Sequence, residues 1–256
     1  MPLKIAVVGA GPAGFYTADD LLKIDRDVQV DVIERLPSPF GLIRAGVAPD
    51  HQTTKKIAKK FEKTLATDGV EYFGNVELGT DLSLEEMHAL YDAVVLSVGG
   101  GLDTPANIPG EDKIGVFGSA AFVSWYNGHP DYTDLNPDLN VTNAAVIGNG
   151  NVAIDVARLL MRSPEELTQF DLPDYARDAI NESSLKNITM YGRRGPIEAK
   201  FTNVELRELG HLEECMPVVD GDQLPDDVGE IEDARELRLK ERNLTSLKEF
   251  AALDTS

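Results

Sequence analysis

The amino-acid sequence predicts an α/β fold made of two successive parallel-sheet units, and three observations carry that expectation. The run Lys4–Val8, apolar after its first residue, breaks at Gly9 and gives way at once to helical spacing. The same strand, glycine turn and helix return at Ala144–Ala157. Between them, Ala93–Val98 is a nearly continuous apolar run, the pattern of a parallel strand buried on both faces.

The first unit opens with Gly9, Gly11 and Gly14 in G-x-G-x-x-G order. The three glycines serve, in turn, the tight turn out of the strand, close backbone approach to a pyrophosphate, and close helix–strand packing. The helix behind them aims unpaired N–H groups and the positive end of its dipole at that phosphate. The next strand, Val28–Glu34, ends in an acid twenty residues after Gly14, where a ribose hydroxyl needs an acceptor. A glycine-rich turn in an ordinary α/β unit would not need that acid, so the reading is a Rossmann-like dinucleotide site.

Residues 35–51 hold three prolines and two glycines and form a shaped loop over the cofactor, with His51 at its end. Residues 52–66 read as one helix with Lys55, Lys56, Lys59, Lys60 and Lys63 on one face. Such a face is ordinarily solvated surface; its sharper reading is a docking patch for an acidic protein. Val70–Val76 is a short strand, and Leu84–Leu90 is a helix started by a Ser83/Glu86 capping box. Ala93–Val98 runs into Gly99, Gly100 and Gly101, where a sheet's C-terminal edge meets a ligand. Pro105, Pro109 and Gly110 break the pattern and place a domain boundary near residue 105.

The second unit has the G-x-G-x-x-A variant in Gly148-Asn149-Gly150-Asn151-Val152-Ala153. Its next strand, Asn187–Tyr191, leads into Arg193 and Arg194, two arginines where the first unit has an acid. A carboxylate favours a free ribose hydroxyl, whereas arginines favour a 2′-phosphate through charge-assisted bidentate contacts. The expectation is FAD in residues 1–105 and NADP in residues 106–256. Residues 163–186 read as helical decoration, and Phe201–Leu209 as a helix with Glu205 and Glu208 at i, i+3. Residues 213–236 hold ten acids and one arginine and read as an exposed loop. Residues 234–253 read as an amphipathic helix bearing Arg235, Arg238, Lys240 and Arg242, a second candidate docking face.

Composition limits the chemistry. The 256 residues are 42% hydrophobic and 27% charged, as in a soluble globular protein. A net charge of −20 argues against general nucleic-acid binding. The charge is uneven: residues 1–65 carry ten Lys/Arg against eight Asp/Glu, and the remainder fourteen against thirty-six. Cys215 is the only cysteine, which excludes an internal disulfide, a redox cysteine pair and an iron–sulfur cluster ligated within the chain. Electron chemistry therefore belongs to a bound organic cofactor, and no metal site is expected. No run of eighteen apolar residues exists, and Leu3 already starts a strand. A bacterial cytoplasm or, for a processed eukaryotic protein, the mitochondrial matrix is the expected compartment.

The sequence resembles adrenodoxin reductase and its bacterial ferredoxin–NADP reductase relatives. The resemblance rests on Val8–Ala18, Pro39–His51, Tyr72–Val76, Trp125–Gly128, Gly148–Asp155 and Gly192–Pro196, in that order. It implies a glutathione-reductase-like flavoprotein that passes a hydride from NADPH to FAD and single electrons to a ferredoxin-like iron–sulfur protein. By position, Gly9, Gly11, Ala13, Gly14, Glu34, Leu42 and Leu78 match the family's FAD contacts. Gly148, Asn149, Gly150, Asn151, Arg193, Arg194 and Glu205 match its NADP contacts. His51 matches a family histidine near the flavin that assists hydride or proton movement, with Asp155 in the same network; Glu208 is the third catalytic candidate. Family members are longer, and their C-terminal part returns to complete the FAD domain with a Gly-Trp and a Gly-Pro-x-Gly against the flavin; this sequence has no Gly-Trp, and its Gly-Pro-x-Gly, Gly11–Gly14, belongs to the first turn. Both units are thus expected to be incomplete. The alternative function is a non-catalytic NADP(H)-binding module that needs a second chain to complete the FAD site.

Overall fold

An apolar strand with β-branched residues on both sides must be covered on both sides, and β1 (Leu3–Val8) is. The computed structural model describes residues 2–253. Within them the chain divides into two compact units, one running to Pro105 and including Asn127–Pro130, the other comprising Ala106–Tyr126 and the chain from Asp131 on. Among the described residues no helix is long and apolar enough to cross a membrane.

In the first unit, β1, β2 (Val28–Glu34), β3 (Val70–Gly74) and β4 (Ala93–Leu96) form a wholly parallel sheet in the order β3-β2-β1-β4. The register sets Ile5 beside Val30 and Val7 beside Val32, so one face is lined by alternate apolar residues of both central strands. That face is sealed by α1 (Pro12–Leu21) and by α4 (Ala58–Leu65), with Phe15 and Phe61 stacked at 4.8 Å between ring centroids. On the opposite face, Ala6, Val8 and Ile33 meet Met87 of α5 (Leu84–Leu90), whose capping box of Ser83 and Glu86 is fully formed. Asp31 is buried on this face and accepts from the Tyr91 hydroxyl at 2.9 Å. Burial, then the Asp31 carboxylate, pushes that phenol up to about 12.

The expected single helix over residues 52–66 is two. After α2 (Leu42–Ala45) come α3 (Gln52–Lys55) and then α4, separated where the Ile57 N–H bonds the Thr54 carbonyl three residues back. This tightened turn re-phases the chain so that Phe61 faces Phe15. The lysines consequently do not form one free face. Lys55 is half-buried, and Lys60 pairs with Asp19 at 3.2 Å and lies over the Tyr16 ring.

In the second unit, α6 (Ser119–Tyr126) buries Phe122, Val123, Trp125 and Tyr126, a helix the apolar run itself could not distinguish from a strand. β5 (Asn143–Ile147) and β6 (Asn187–Tyr191) pair in parallel, with inward and outward residues alternating. α7 (Asn151–Leu160) packs Ile154, Ala157, Leu159 and Leu160 inward. The short helices α8 (Pro164–Leu167) and α9 (Asp174–Asn181) close a core around Trp125, Leu159 and Leu167. A second core joins Ile154, Ala199 and Phe201 to Leu206 of α10 (Asn203–Glu208) and Leu247 of α11 (Ala234–Ala251). The acidic stretch from 213 to 233 is mostly exposed and largely without regular structure.

Candidate functional site

The glycine turn of the first unit is shaped by what its glycines exclude. Gly9 has φ +103°, and a Cβ there would stand 2.3 Å from the Ser97 carbonyl oxygen. At Gly14 a Cβ would stand 2.0 Å from the Gly9 carbonyl oxygen, so α1 sits directly on the turn. Gly11 is different: a Cβ would meet only the Gly41 Cα, at 3.9 Å, leaving bare backbone. α1 begins at Gly11 with no side-chain cap and no acid in its first turn, although Ala13 and its neighbours make a regular helix. Its first N–H groups are therefore open to an anion.

Glu34 reaches back over this turn. Its Oε2 accepts from the Ala10 N–H at 2.9 Å and its Oε1 from the Leu36 N–H at 3.1 Å. The loop that follows is laid on the same turn: the Phe40 N–H donates to the Ala10 carbonyl at 2.8 Å. Phe40 holds φ +91°, a strained value for a bulky residue, kept by burial of its ring against Phe15 and Phe61. Leu42 beyond it is 68% exposed, and His51, half-buried, ends the loop at the start of α3. Leu78 packs with the Ala6, Val8, Ile33 and Met87 cluster on the other sheet face. The glycines, Glu34 and the loop are thus one group, and Gly99, Gly100 and Gly101 follow β4, each with room for a Cβ.

The second turn is built alike. Gly148, at φ +149°, donates its N–H to the Tyr191 carbonyl at 2.8 Å, and no atom lies within 4 Å of a Cβ built on Gly150. α7 starts from Gly150 with no side-chain cap and no acid in its first turn. By contrast α5, α8, α10 and α11 are capped by Ser83, Ser163, Thr202 and Asp233. Arg193 and Arg194 follow β6, both exposed. The turn and the arginine segment are tied together, because a Cβ on Gly192 would fall 1.9 Å from Asn149 Nδ2. The Lys200 N–H donates to the Asn149 carbonyl at 2.7 Å, and the Thr202 N–H donates to Asn151 Oδ1 at 2.7 Å. Asn149 and Asn151 therefore fasten the segment after the arginines. In both units the donor set suits a pyrophosphate: open N–H groups, bare glycine backbone and no first-turn carboxylate.

Sequence reasoning missed Arg158, which is fully buried. Its guanidinium meets Asp155 at 2.8 Å, Glu208 at 3.2 Å and Glu205 at 3.5 Å. The three acids singled out from the sequence in this unit are thus drawn together by a cation on the buried stripe of α7. The available signal was a charge at i+3 from Asp155 amid apolar residues.

Lys240 corrects the expected docking face. It is 5% exposed, and its Nζ donates to the Ala199 carbonyl at 2.7 Å. Burial, then nearby Lys200, holds its pKa below the usual lysine value. The helical period puts residue 240 on the stripe of Asn243, Leu244 and Leu247, which faces the core. Arg235, Arg238 and Arg242 lie on the other stripe and, with Val204 and Leu239, line a groove between α10 and α11.

Residues 3–182 match the family described as pyridine nucleotide-disulphide oxidoreductase. Over 209 residues the chain is 50% identical to the mitochondrial NADPH:adrenodoxin oxidoreductase of Arabidopsis thaliana, covering 81% of this chain and 43% of that protein. It is 42% identical to the NADPH-ferredoxin reductase FprA of Mycobacterium tuberculosis over 98% of this chain and 56% of that one. The structure of M. tuberculosis FprA in complex with NADPH superposes with a TM-score of 0.95 at 41% identity, over 100% of this chain and 57% of that chain. The chain spans about half the length of the curated relatives it matches.

Proposed function

The chain belongs to the pyridine nucleotide-disulphide oxidoreductase family, and from that premise we propose that it carries the FAD- and NADP(H)-binding elements of an NADPH:ferredoxin oxidoreductase of the adrenodoxin reductase type. One observation carries the assignment of the two nucleotides. Two like glycine turns differ in the group that attends them, Glu34 over the first and Arg193 with Arg194 beside the second. A carboxylate would repel a 2′-phosphate and accept from a ribose hydroxyl; paired guanidiniums do the reverse.

On this reading Gly9, Gly11, Ala13 and Gly14 hold the FAD pyrophosphate, Glu34 its ribose, and Leu42 and Leu78 give apolar contact. When bound, the flavin accepts a hydride and releases single electrons. Arg193 and Arg194 take the 2′-phosphate of NADP(H), Gly148–Asn151 its pyrophosphate, and Glu205 anchors the same nucleotide. The catalytic roles fall to His51 in the first unit, whose imidazole moves a proton, and to Asp155 and Glu208 in the second, where Arg158 grips them. The partner is an acidic iron–sulfur protein that docks on Arg235, Arg238 and Arg242, since the groove beside them joins positive charge to an apolar floor. The lysines of α3 and α4 are the weaker face, with Lys60 already paired. The compartment is a bacterial cytoplasm or, in a eukaryote, the mitochondrial matrix.

A second reading has its own support. β4 is one of the two edge strands of the first unit's sheet, and Leu96 at its end and Val98 just beyond it are exposed. That favours an NADP(H)-binding module whose FAD site is completed by a second chain. A visible absorption spectrum of the purified chain, before and after anaerobic NADPH, separates the two. Flavin bands that bleach with NADPH support the reductase; a colourless chain that NADPH still stabilises against heat supports the module.

A further inference from the structure

We propose that Lys240 is a positioning residue for the nucleotide site of the second unit: from α11 it fixes the backbone that follows Arg193 and Arg194, and so sets where those guanidiniums stand relative to the Gly148–Asn151 turn. The inference rests on the NADP(H) reading of that unit.

A lysine on a helix ordinarily runs its stem along apolar surface and keeps its ammonium in water. Lys240 does not, for its ammonium is directed at the Ala199 carbonyl. One turn on, Asn243 is also buried and donates from Nδ2 to the Phe201 carbonyl at 3.0 Å. The two donors from α11 thus meet alternate carbonyls of one segment. The intervening residues face the other way: the Lys200 and Thr202 N–H groups donate to Asn149 and Asn151. Ala199 and Thr202 hold ψ at 143° and 154°, and the hydrogen bonds alternate between the two edges of the segment.

Residues 199–202 are therefore a strap with one edge held by α11 and the other by the glycine turn. No regular structure separates this strap from Arg194 except the three-residue turn Pro196–Glu198, so anchoring the strap anchors the arginines. A buried ammonium is costly unless its charge is used. Burial first, then Lys200 and more weakly Arg194, lower the Lys240 pKa, against the opposite pull of Glu236 and Glu198.

The test uses the full chain, with NADP+ and NAD+ as probes in calorimetric titration and amide hydrogen exchange read without nucleotide. Lys240→Met is expected to weaken NADP+ on the order of tenfold, the loss of one charge-assisted hydrogen bond. NAD+ affinity should change far less, and amides of residues 193–202 should exchange faster while those of α7 keep their protection. In a chain already carrying Arg193→Ala and Arg194→Ala, Lys240→Met should not change the NADP+/NAD+ ratio further. Lys240→Gln, which keeps a donor, should recover part of the exchange protection and is read in the same way if the methionine variant fails to fold. An unchanged NADP+/NAD+ ratio, unchanged exchange over 193–202, or equal loss of both nucleotides overturns the proposal. A wild-type chain that does not prefer NADP+ overturns the nucleotide assignment instead, and the exchange data still report whether Lys240 holds the strap.

Discussion

The glycines of the first turn separate packing from binding at single positions. Gly14 has no room for a Cβ, because the obstacle 2.0 Å away is the Gly9 carbonyl, which is backbone. Gly14→Ala should lower unfolding stability by about 1–3 kcal/mol in urea titration, as overpacking does. Gly11→Ala meets nothing closer than 3.9 Å and should leave the stability of the cofactor-free chain unchanged within about 0.5 kcal/mol. Its effect should appear as weakened flavin binding, measured by fluorescence titration. Equal stability losses in the two variants would contradict this separation of roles. Both glycines were legible in the sequence, because the constraint at each comes from residues of the same strand–turn–helix unit.

At the level of elements, α7 and α10 are joined through Arg158. Its carboxylate partners include Asp155 of its own helix and Glu205 and Glu208 of α10, and the guanidinium is wholly out of water. Removing one partner of a buried ion pair leaves uncompensated charge, a loss of about 3–5 kcal/mol. Arg158→Met should show that loss in chemical unfolding, together with faster amide exchange in α10. A variant as stable as the wild type would mean the network is held by other contacts. The sequence predicted a helix bearing Glu205 and Glu208 but could not supply Arg158 as their partner, since residues 158 and 205 meet only after β6 is in place. The helix over residues 52–66 failed as a single element for a related reason. Its period is continuous in sequence, while the break at Ile57 answers to the stacking of Phe61 on Phe15.

At the scale of the molecule, charge is the organising quantity. On a chain of net charge −20, the stripe of Arg235, Arg238 and Arg242 is the docking face proposed for an acidic partner. Reversing Arg238 and Arg242 to Glu should slow association with an acidic iron–sulfur protein by about tenfold or more at low salt, with NADP+ affinity unchanged. Stopped-flow mixing across a salt series measures this; an association rate indifferent to both charge and salt would exclude the groove as the docking face. Local sequence was enough for the two glycine turns, the capping of α5, and the contrast between an acid after one turn and arginines after the other. Each of these depends on residues within a few positions or one βα unit of each other, where backbone geometry leaves few alternatives. Which charges are buried was settled only by tertiary packing. Arg158 and Lys240 are ordinary helical cations in sequence. They are withdrawn from water because Glu205, Glu208 and the Ala199 carbonyl, about forty to fifty residues away in the chain, supply the partners that make burial tolerable.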